Sequence, residues 1–154
     1  MAAPDLGTDL HVVPGPPGMG ASDSGSLDVQ VRPRPAPTGR GEITDLAAVD
    51  GRENLAQSLV LRLLTPRGSL AALGHADYGS RLSELIGRRK TDGLRGLCRA
   101  YVLGAVAQEP RVDDTAVVLE FDVASEGPSE FRFTLAVRPR TGDEAVRIDL
   151  VVGV

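Results

Sequence analysis

The sequence has little of what metal, cofactor and membrane sites are usually built from. Aromatic residues make up 3% of the 154 positions, there is no Trp, and the two His and the single Cys form none of the spacings typical of zinc sites. Cys98 as the only cysteine excludes a disulfide within the chain and fits a reducing compartment. No stretch approaches the roughly 18 apolar residues of a bilayer span, and the N-terminus resembles no secretory signal. We expect no metal, no cofactor and no membrane association.

The charge balance leaves no general attraction to phosphate groups. The formal net charge is -4 and the pI is about 5.2, so nucleic acid is not an expected partner. One basic cluster exists, formed by Arg88, Arg89 and Lys90. We interpret it as a solvated run that ends a helix, where cations suit the helix dipole. A polyanion-binding module is the weaker alternative.

Proline is concentrated in the first 42 residues, which also contain many glycines and hold seven of the 11 prolines. Proline lacks a backbone donor and restricts the residue before it, so the runs at 14–18 and 32–37 should oppose both helix and ladder formation. We expect residues 1–42 to be a flexible arm and residues 43–154 to be the folded domain. Leu27, Val29 and Val31 alternate with polar residues and could order as a short strand against a partner.

Apolar spacing predicts three helices after a weak strand at residues 43–49. The first spans about residues 52–64, with Asp50 and Glu53 as an approximate capping box. The second is short, capped by Ser80, with Leu82, Leu85 and Ile86 facing inward. The third carries the clearest apolar stripe, in which Cys98 is interpreted as a small core residue; the stripe is Leu94, Leu97, Cys98, Tyr101, Val102, Ala105 and Val106.

After residue 108 the apolar period changes to two, which predicts three strands at residues 117–123, 131–137 and 146–152. The connections between them are short, so the strands should form an antiparallel meander. A sheet with one apolar face and helices with apolar stripes must cover each other. The predicted class is α+β: a two-layer sandwich of about three helices on a three- to four-stranded, mainly antiparallel sheet, with a flexible Pro/Gly-rich N-terminal arm.

Signals of catalysis are absent. The chain contains no Gly-x-Ser-x-Gly sequence, and the glycines at 15, 18 and 20 have neither a strand before them nor a helix after them, so they do not predict a phosphate loop. Paired carboxylates around a sugar-sized cleft would indicate a glycosidase. The acids near element ends are not flanked by aromatic residues and are interpreted as solvated caps and turn residues; they are Asp77, Glu84, Glu109, Asp113 and Asp114.

One feature is not required by core packing: the sequence Glu109-Pro110-Arg111 between the third helix and the meander. Proline forces Glu109 towards an extended conformation, in which residues i and i+2 point the same way. Glu109 and Arg111 should then emerge side by side. Two interpretations remain open: a helix stop with two solvated charges, and a preorganised charged fork that docks a partner.

The order of these features resembles the gene-25-like baseplate wedge family of contractile phage tails, type VI secretion baseplates and extracellular contractile injection systems. The resemblance covers about residues 43–154. It rests on Leu-Leu-Thr-Pro-Arg-Gly at 63–68, Tyr-Gly-Ser-Arg-Leu at 78–82, an amphipathic helix, Glu-Pro-Arg at 109–111 and the meander. It implies a non-enzymatic structural subunit that is assembled in the cytoplasm, in many copies, within a symmetric particle.

The resemblance also implies partners and contact residues. Larger baseplate wedge proteins, sheath subunits and spike or tube proteins are the expected partners. Wedge contacts are assigned to Glu109, Pro110, Arg111, Tyr78, Gly79 and Arg81. Strand exchange that templates the first sheath ring is assigned to the last strand, whose alternative role is that of an ordinary sheet edge; its residues are Val146, Arg147, Ile148, Asp149, Leu150, Val151 and Val152. The alternative function is a peptidoglycan-cleaving, lysozyme-like glycosidase.

Overall fold

A computed structural model describes residues 6–12, 31–142 and 144–154, with the side chain of Asp114 left out. The described residues form an α+β protein with antiparallel sheets. Its helices are α1 (Gly51–Leu64) and α2 (Asp92–Val106). Its strands, in chain order, are β1 (Thr8–Leu10), β2 (Val31–Pro35), β3 (Glu42–Leu46), β4 (Ala48–Asp50), β5 (Val112–Phe121), β6 (Glu130–Pro139) and β7 (Val146–Gly153).

The predicted meander is confirmed: β5, β6 and β7 form an antiparallel sheet in that order. Side chains alternate between the faces of β6, so that the odd-numbered residues from Phe131 to Val137 are buried on the inner face. The first strand begins earlier than expected, at Val112, with a register shift before Val117. Val123 lies beyond the strand in a 3-10 turn and is 61% exposed, so its assignment to the apolar face was wrong.

Helices α1 and α2 bury their apolar stripes against the inner face of this sheet and against each other. Thr91 caps α2, because its hydroxyl accepts a hydrogen bond of 3.1 Å from the Leu94 N–H. Cys98 is fully buried in the stripe, and this burial raises the pKa of its thiol to about 11. Its interpretation as a core residue is therefore confirmed.

The predicted second helix is wrong. Residues Leu82–Leu85 form one 3-10 turn, in which Leu82 and Leu85 are buried. Ile86 leaves the turn in an extended conformation and is 70% exposed. Two apolar residues at i and i+3 need only one turn to lie on the same face. Gly87, with φ 77°, then turns the chain away from a helical path. The described residues thus contain two α-helices instead of about three.

Two local details also differ from expectation. Asp50 occupies the N-cap position of α1, but its side chain makes no cap hydrogen bond, so the capping box is not formed. The basic run at residues 88–90 lies between the 3-10 turn and α2, and it ends no α-helix. Lys90 is held by an ion pair of 2.8 Å to Glu126, which leaves less of the run available to a polyanion.

The strand expected at residues 43–49 is two strands, β3 and β4, separated by the buried Ala47. They pair with different upstream segments, β3 with β2 and β4 with β1, both antiparallel. Neither joins the meander, so the main sheet has three strands, the lower end of the expected three to four.

The expectation that the prolines at residues 32–37 oppose ladder formation is wrong for β2. In β2 the main-chain groups of every second residue face β3, and Pro33 and Pro35 belong to the set that faces away. Ala36 belongs to the set that faces the partner, and its N–H donates a hydrogen bond of 3.0 Å to the Gly41 carbonyl. A proline in an edge strand costs little when its missing N–H would face solvent. Val31 begins this strand, whereas Leu27, Val29 and the proline run at 14–18 lie outside the described residues. Among the described helices none is long and apolar enough to cross a membrane.

Candidate functional site

The Glu-Pro-Arg corner, Glu109 with Pro110 and Arg111, forms a tight turn between α2 and β5. The Glu109 N–H donates to the Val106 carbonyl (2.9 Å), which ends the helix. The Val112 N–H donates to the Glu109 carbonyl (3.1 Å), so Pro110 occupies the second position of a β-turn. Proline is favoured there because its ring presets φ.

The Glu109 carboxylate is the centre of the corner. Its Oε1 accepts hydrogen bonds from Nε (2.6 Å) and from the backbone N–H (3.4 Å) of Arg111. Its Oε2 accepts a weaker one from Nη2 of Arg62 in α1 (3.4 Å). The two charged residues therefore lie side by side, as expected. The carboxylate is only 4% exposed, however, so the expectation that both charges face outward is wrong for Glu109.

Electrostatics keep this buried carboxylate ionised. Burial acts to raise the pKa of Glu109, but the hydrogen bond and charge of Arg111, together with the charge of Arg62, outweigh it and lower the pKa. Arg62 also stacks on the ring of Tyr78, with 4.6 Å from its Cζ to the ring centroid. Burial raises the pKa of the Tyr78 hydroxyl. The cluster can hold a fixed charge, and it is poorly suited to donate a proton at neutral pH.

The outward-facing part of the corner is Pro110, which is exposed, and the Arg111 side chain, which is 24% exposed. One Arg111 amino group, Nη1, donates 2.9 Å to the backbone carbonyl of Leu6. Arg111 therefore joins the buried carboxylate to the N-terminal segment of the chain. A partner would meet a rigid proline edge and a held guanidinium.

The turn at 65–68 and the Tyr-Gly loop at 78–79 are brought into contact. Ser80 donates its N–H to the Thr65 carbonyl (2.8 Å) and accepts at its own carbonyl from the Arg67 N–H (2.8 Å). Its hydroxyl donates 2.6 Å to the Leu63 carbonyl. Gly79, with φ 107°, lies so close that a Cβ would be 2.4 Å from the Thr65 oxygen. These contacts place Tyr78 over Arg62, next to the corner.

Arg81 lies on a separate part of the surface. Its guanidinium makes two hydrogen bonds to Glu84, of 2.7 and 2.8 Å, and stacks 4.7 Å from the centroid of the Tyr101 ring. It borders an open cleft of about 180 Å³ between α2 and the loop, which is lined also by Arg67 and Gln108. Gln108 precedes Glu109, so the cleft and the corner are adjacent.

The seven residues predicted for strand exchange all lie in β7. Antiparallel pairing sends hydrogen bonds to β6 from every second residue, and the Val154 N–H to Ser129 carbonyl bond (2.8 Å) sets the phase. The main-chain groups of Arg147, Asp149 and Val151 therefore point away from β6. No bond to these groups occurs among the described residues. Within the described part of the chain, this edge of the sheet is open.

The opposite edge is different. In β5 the Asp122 N–H to Arg132 carbonyl bond (2.9 Å) sets the phase, so the Leu119 carbonyl faces the free edge. Arg99 of α2 donates to that carbonyl at 3.0 Å. A side chain that bonds an outward-facing carbonyl of an edge strand covers that edge and hinders pairing with another strand. The two edges of the sheet are therefore unequal.

Sequence reasoning missed two residues of consequence. Arg62 stands seven positions after Leu55 and three after Leu59, on the apolar face of α1, and a charge at such a position indicates a buried ion pair. Glu126 has a side chain 1% exposed and pairs with Lys90 and Arg95. From the sequence, the loop that contains Glu126 was interpreted only as a connection between two strands. No pattern marked Glu126 as a buried charge.

The pKa shifts of the described carboxyl groups give no support to a glycosidase acid. Among the described residues, each carboxyl group whose pKa departs from its ordinary value is shifted downward, whereas a catalytic acid requires a raised pKa. Three of the candidate acids named from the sequence are also engaged by neighbours: Asp77 by Arg67, Glu84 by Arg81 and Asp113 by Thr115.

No group of three or more His, Cys, Asp or Glu side chains that could hold a metal occurs among the described residues. Neither the known protein-family models nor the curated proteins include a match to this chain.

Proposed function

We propose that this chain is a non-enzymatic structural subunit of the baseplate of a contractile injection machine. It joins the baseplate wedge to the central spike or tube region and templates the first ring of the sheath by strand exchange. It is assembled in the cytoplasm, in several copies per symmetric particle. The proposal rests on the family resemblance of residues 43–154 and on one observation, the open edge of β7.

The open edge supports templating because strand addition needs free main-chain donors and acceptors. Strand β7 has eight residues, and its outward-facing groups at Arg147, Asp149 and Val151 have no bond within the described chain. Arg99 blunts the other edge of the same sheet. An incoming strand of a sheath subunit therefore has one side of the sheet on which to add.

The corner supports wedge docking in a modified form. The buried Glu109 carboxylate is a positioning group that holds Arg111 from below, and the partner contacts are made by Pro110 and the Arg111 guanidinium. A guanidinium fixed in advance loses less side-chain entropy on binding than a free one. Tyr78 and Gly79 fix Arg62, the second support of the carboxylate, and Arg81 contributes the neighbouring cleft.

Arg111→Ala tests the docking role. We expect this variant to fold with reduced stability, because Glu109 keeps only Arg62 as a charged partner. We expect it to join purified baseplate wedges at least about tenfold less than the unaltered chain, because one held, charge-assisted contact is worth about 1.5–3 kcal/mol. Pull-down of wedge proteins with the tagged chain measures the effect. Arg89→Ala, at an exposed arginine outside the corner, is the matched control. If Arg111→Ala joins wedges as Arg89→Ala does, the docking role is wrong.

A further inference from the structure

The segment at residues 6–12 is bound to the rest of the chain in a way that differs from ordinary strand pairing. On one side it pairs with β4: the Gly51 N–H donates to the Gly7 carbonyl (3.3 Å) and the His11 N–H donates to the Ala47 carbonyl (2.8 Å). In the strand register Asp9 lies opposite Val49, two residues from both Gly7 and His11, so its main-chain groups also face β4. The odd-numbered residues of the segment thus face β4.

On its other side the segment is bound by side chains instead of a strand. Gln57 of α1 donates from Nε2 to the Leu10 carbonyl (2.8 Å) and accepts at Oε1 from the Val12 N–H (2.9 Å). Asn54 donates 3.0 Å to the Leu6 carbonyl, which Arg111 also reaches. An amide side chain that bonds both a C=O and the N–H two residues later imitates a neighbouring strand.

The groove between β4 and α1 therefore reads the main chain of an extended peptide. The side chains of Thr8, Asp9 and Leu10 are exposed and contribute little to binding. Two positions are selective. Leu6 packs against the core. Gly7 has φ 78°, and a Cβ there would lie 3.3 Å from Nδ2 of Asn54.

We propose that this groove is a binding site for an extended peptide that begins with an apolar residue followed by glycine, and that residues 6–12 are its displaceable occupant. The ligand is a segment of a partner polypeptide with this chemistry. The shortness of β1, which has only three residues with exposed side chains, favours displacement. In addition, Oδ1 of the buried Asn54 has no hydrogen-bond partner among the described residues, so the resident segment satisfies this amide incompletely.

The site adjoins the Glu-Pro-Arg corner through Arg111. The Arg111 guanidinium donates a hydrogen bond to the Leu6 carbonyl. A peptide bound in the groove would supply the carbonyl that replaces Leu6 in this hydrogen bond. Peptide exchange and the state of the corner are thus coupled through one side chain. The proposal does not depend on the baseplate function, since it concerns peptide binding by the isolated chain.

The test uses a fluorescent peptide with the sequence of residues 6–12 and the full-length chain. Asp9→Pro in the chain removes the donor that faces Val49, which weakens the resident segment and leaves the groove intact. Apparent affinity rises with the open fraction of the site, so Asp9→Pro should bind the peptide at least about tenfold more tightly than the unaltered chain. Asp9→Ala, which keeps the N–H, should stay within about twofold of it.

Two further arms identify the groove. Adding Gln57→Ala to Asp9→Pro should abolish the gain, and a Gly7→Ala peptide should bind at least about tenfold more weakly. In the unaltered chain, excess peptide should move the NMR signals of residues 6–12 to random-coil positions. This last measurement needs no variant and so does not depend on the folding of Asp9→Pro. Equal affinity of the unaltered and Asp9→Pro chains, tolerance of Gly7→Ala in the peptide, or unmoved signals would overturn the proposal.

Discussion

Gly79→Ala is expected to lower the free energy of unfolding by about 3 kcal/mol, because it combines two penalties. The backbone at Gly79 has φ 107°, which residues with a Cβ rarely adopt, and the added Cβ would lie 2.4 Å from the Thr65 oxygen. That oxygen belongs to the turn that ends α1, so it cannot move without breaking the bond from the Ser80 N–H. Urea denaturation measures the loss.

Gly74→Ala separates the two penalties. Gly74 also has a positive φ, 84°, but nothing lies within 4 Å of the position of its Cβ. We expect this variant to lose only about 1 kcal/mol, the cost of the backbone conformation. If both variants lose the same free energy of unfolding, then glycine at position 79 is not required by the close approach of the Tyr-Gly loop to the turn at 65–68. The Arg62–Tyr78 stack should weaken only in Gly79→Ala.

Glu126→Gln is expected to cost about 3 kcal/mol, because it leaves two cations without their counter-charge. The side chain is 1% exposed, with Lys90 at 2.8 Å and Arg95 hydrogen-bonded to the other carboxylate oxygen. Arg95 also stacks on Phe121 and Phe131, with 5.3 and 4.9 Å from its Cζ to the ring centroids. The pair therefore ties the loop after β5 to α2 and the aromatic cluster. Glu120→Gln, at an exposed position of β5, should change stability by less than about 0.5 kcal/mol.

The same carboxylate predicts a pH dependence. Burial acts to raise the pKa of Glu126, but hydrogen bonds from Arg95 and Lys90 outweigh it and lower the pKa from 4.5 to about 2. A depressed native pKa means that the stabilisation is complete above pH 4.5 and is lost as the pH falls towards 2. The stability difference between the unaltered chain and Glu126→Gln should therefore shrink over that window. A difference that stays constant down to pH 2 would contradict this assignment.

The parts of the fold that were predictable from sequence are those whose periodicity is uninterrupted. The stripe from Leu94 to Val106 and the alternation from Phe131 to Val137 each bury one face, and each became the expected element. The pairing of β1 with β4 and of β2 with β3 was not predictable. Strands β1 and β2 are short and have exposed side chains, and β2 contains prolines, so the apolar pattern of these two partners carries no signal.

The sequence predicted which residues form the candidate site, but it did not predict which of their side chains face solvent. Local rules predict Glu109 and Arg111 side by side from extended backbone, whereas the structure brings them together through a β-turn at Pro110. Whether the carboxylate faces water depends on Arg62, which lies 47 positions earlier in the chain and approaches only after α1 packs. Gln57 and Asn54 are a similar case, since they bind residues 45 to 48 positions away. The charge of Arg62 on the apolar face of α1 is a local sign of such a contact, but it does not identify the partner.

The most direct test of the proposed function concerns the open edge of β7. Val151 is 50% exposed and its N–H points away from β6, so Val151→Pro removes a donor from the free edge and none from the sheet. In cells whose only copy of the gene carries Val151→Pro, we predict at least about tenfold fewer sheathed tubes in electron micrographs, with the variant still present in baseplates. Val151→Thr, which keeps the N–H, should give normal numbers. Normal sheathing in Val151→Pro particles that contain the variant would contradict the account.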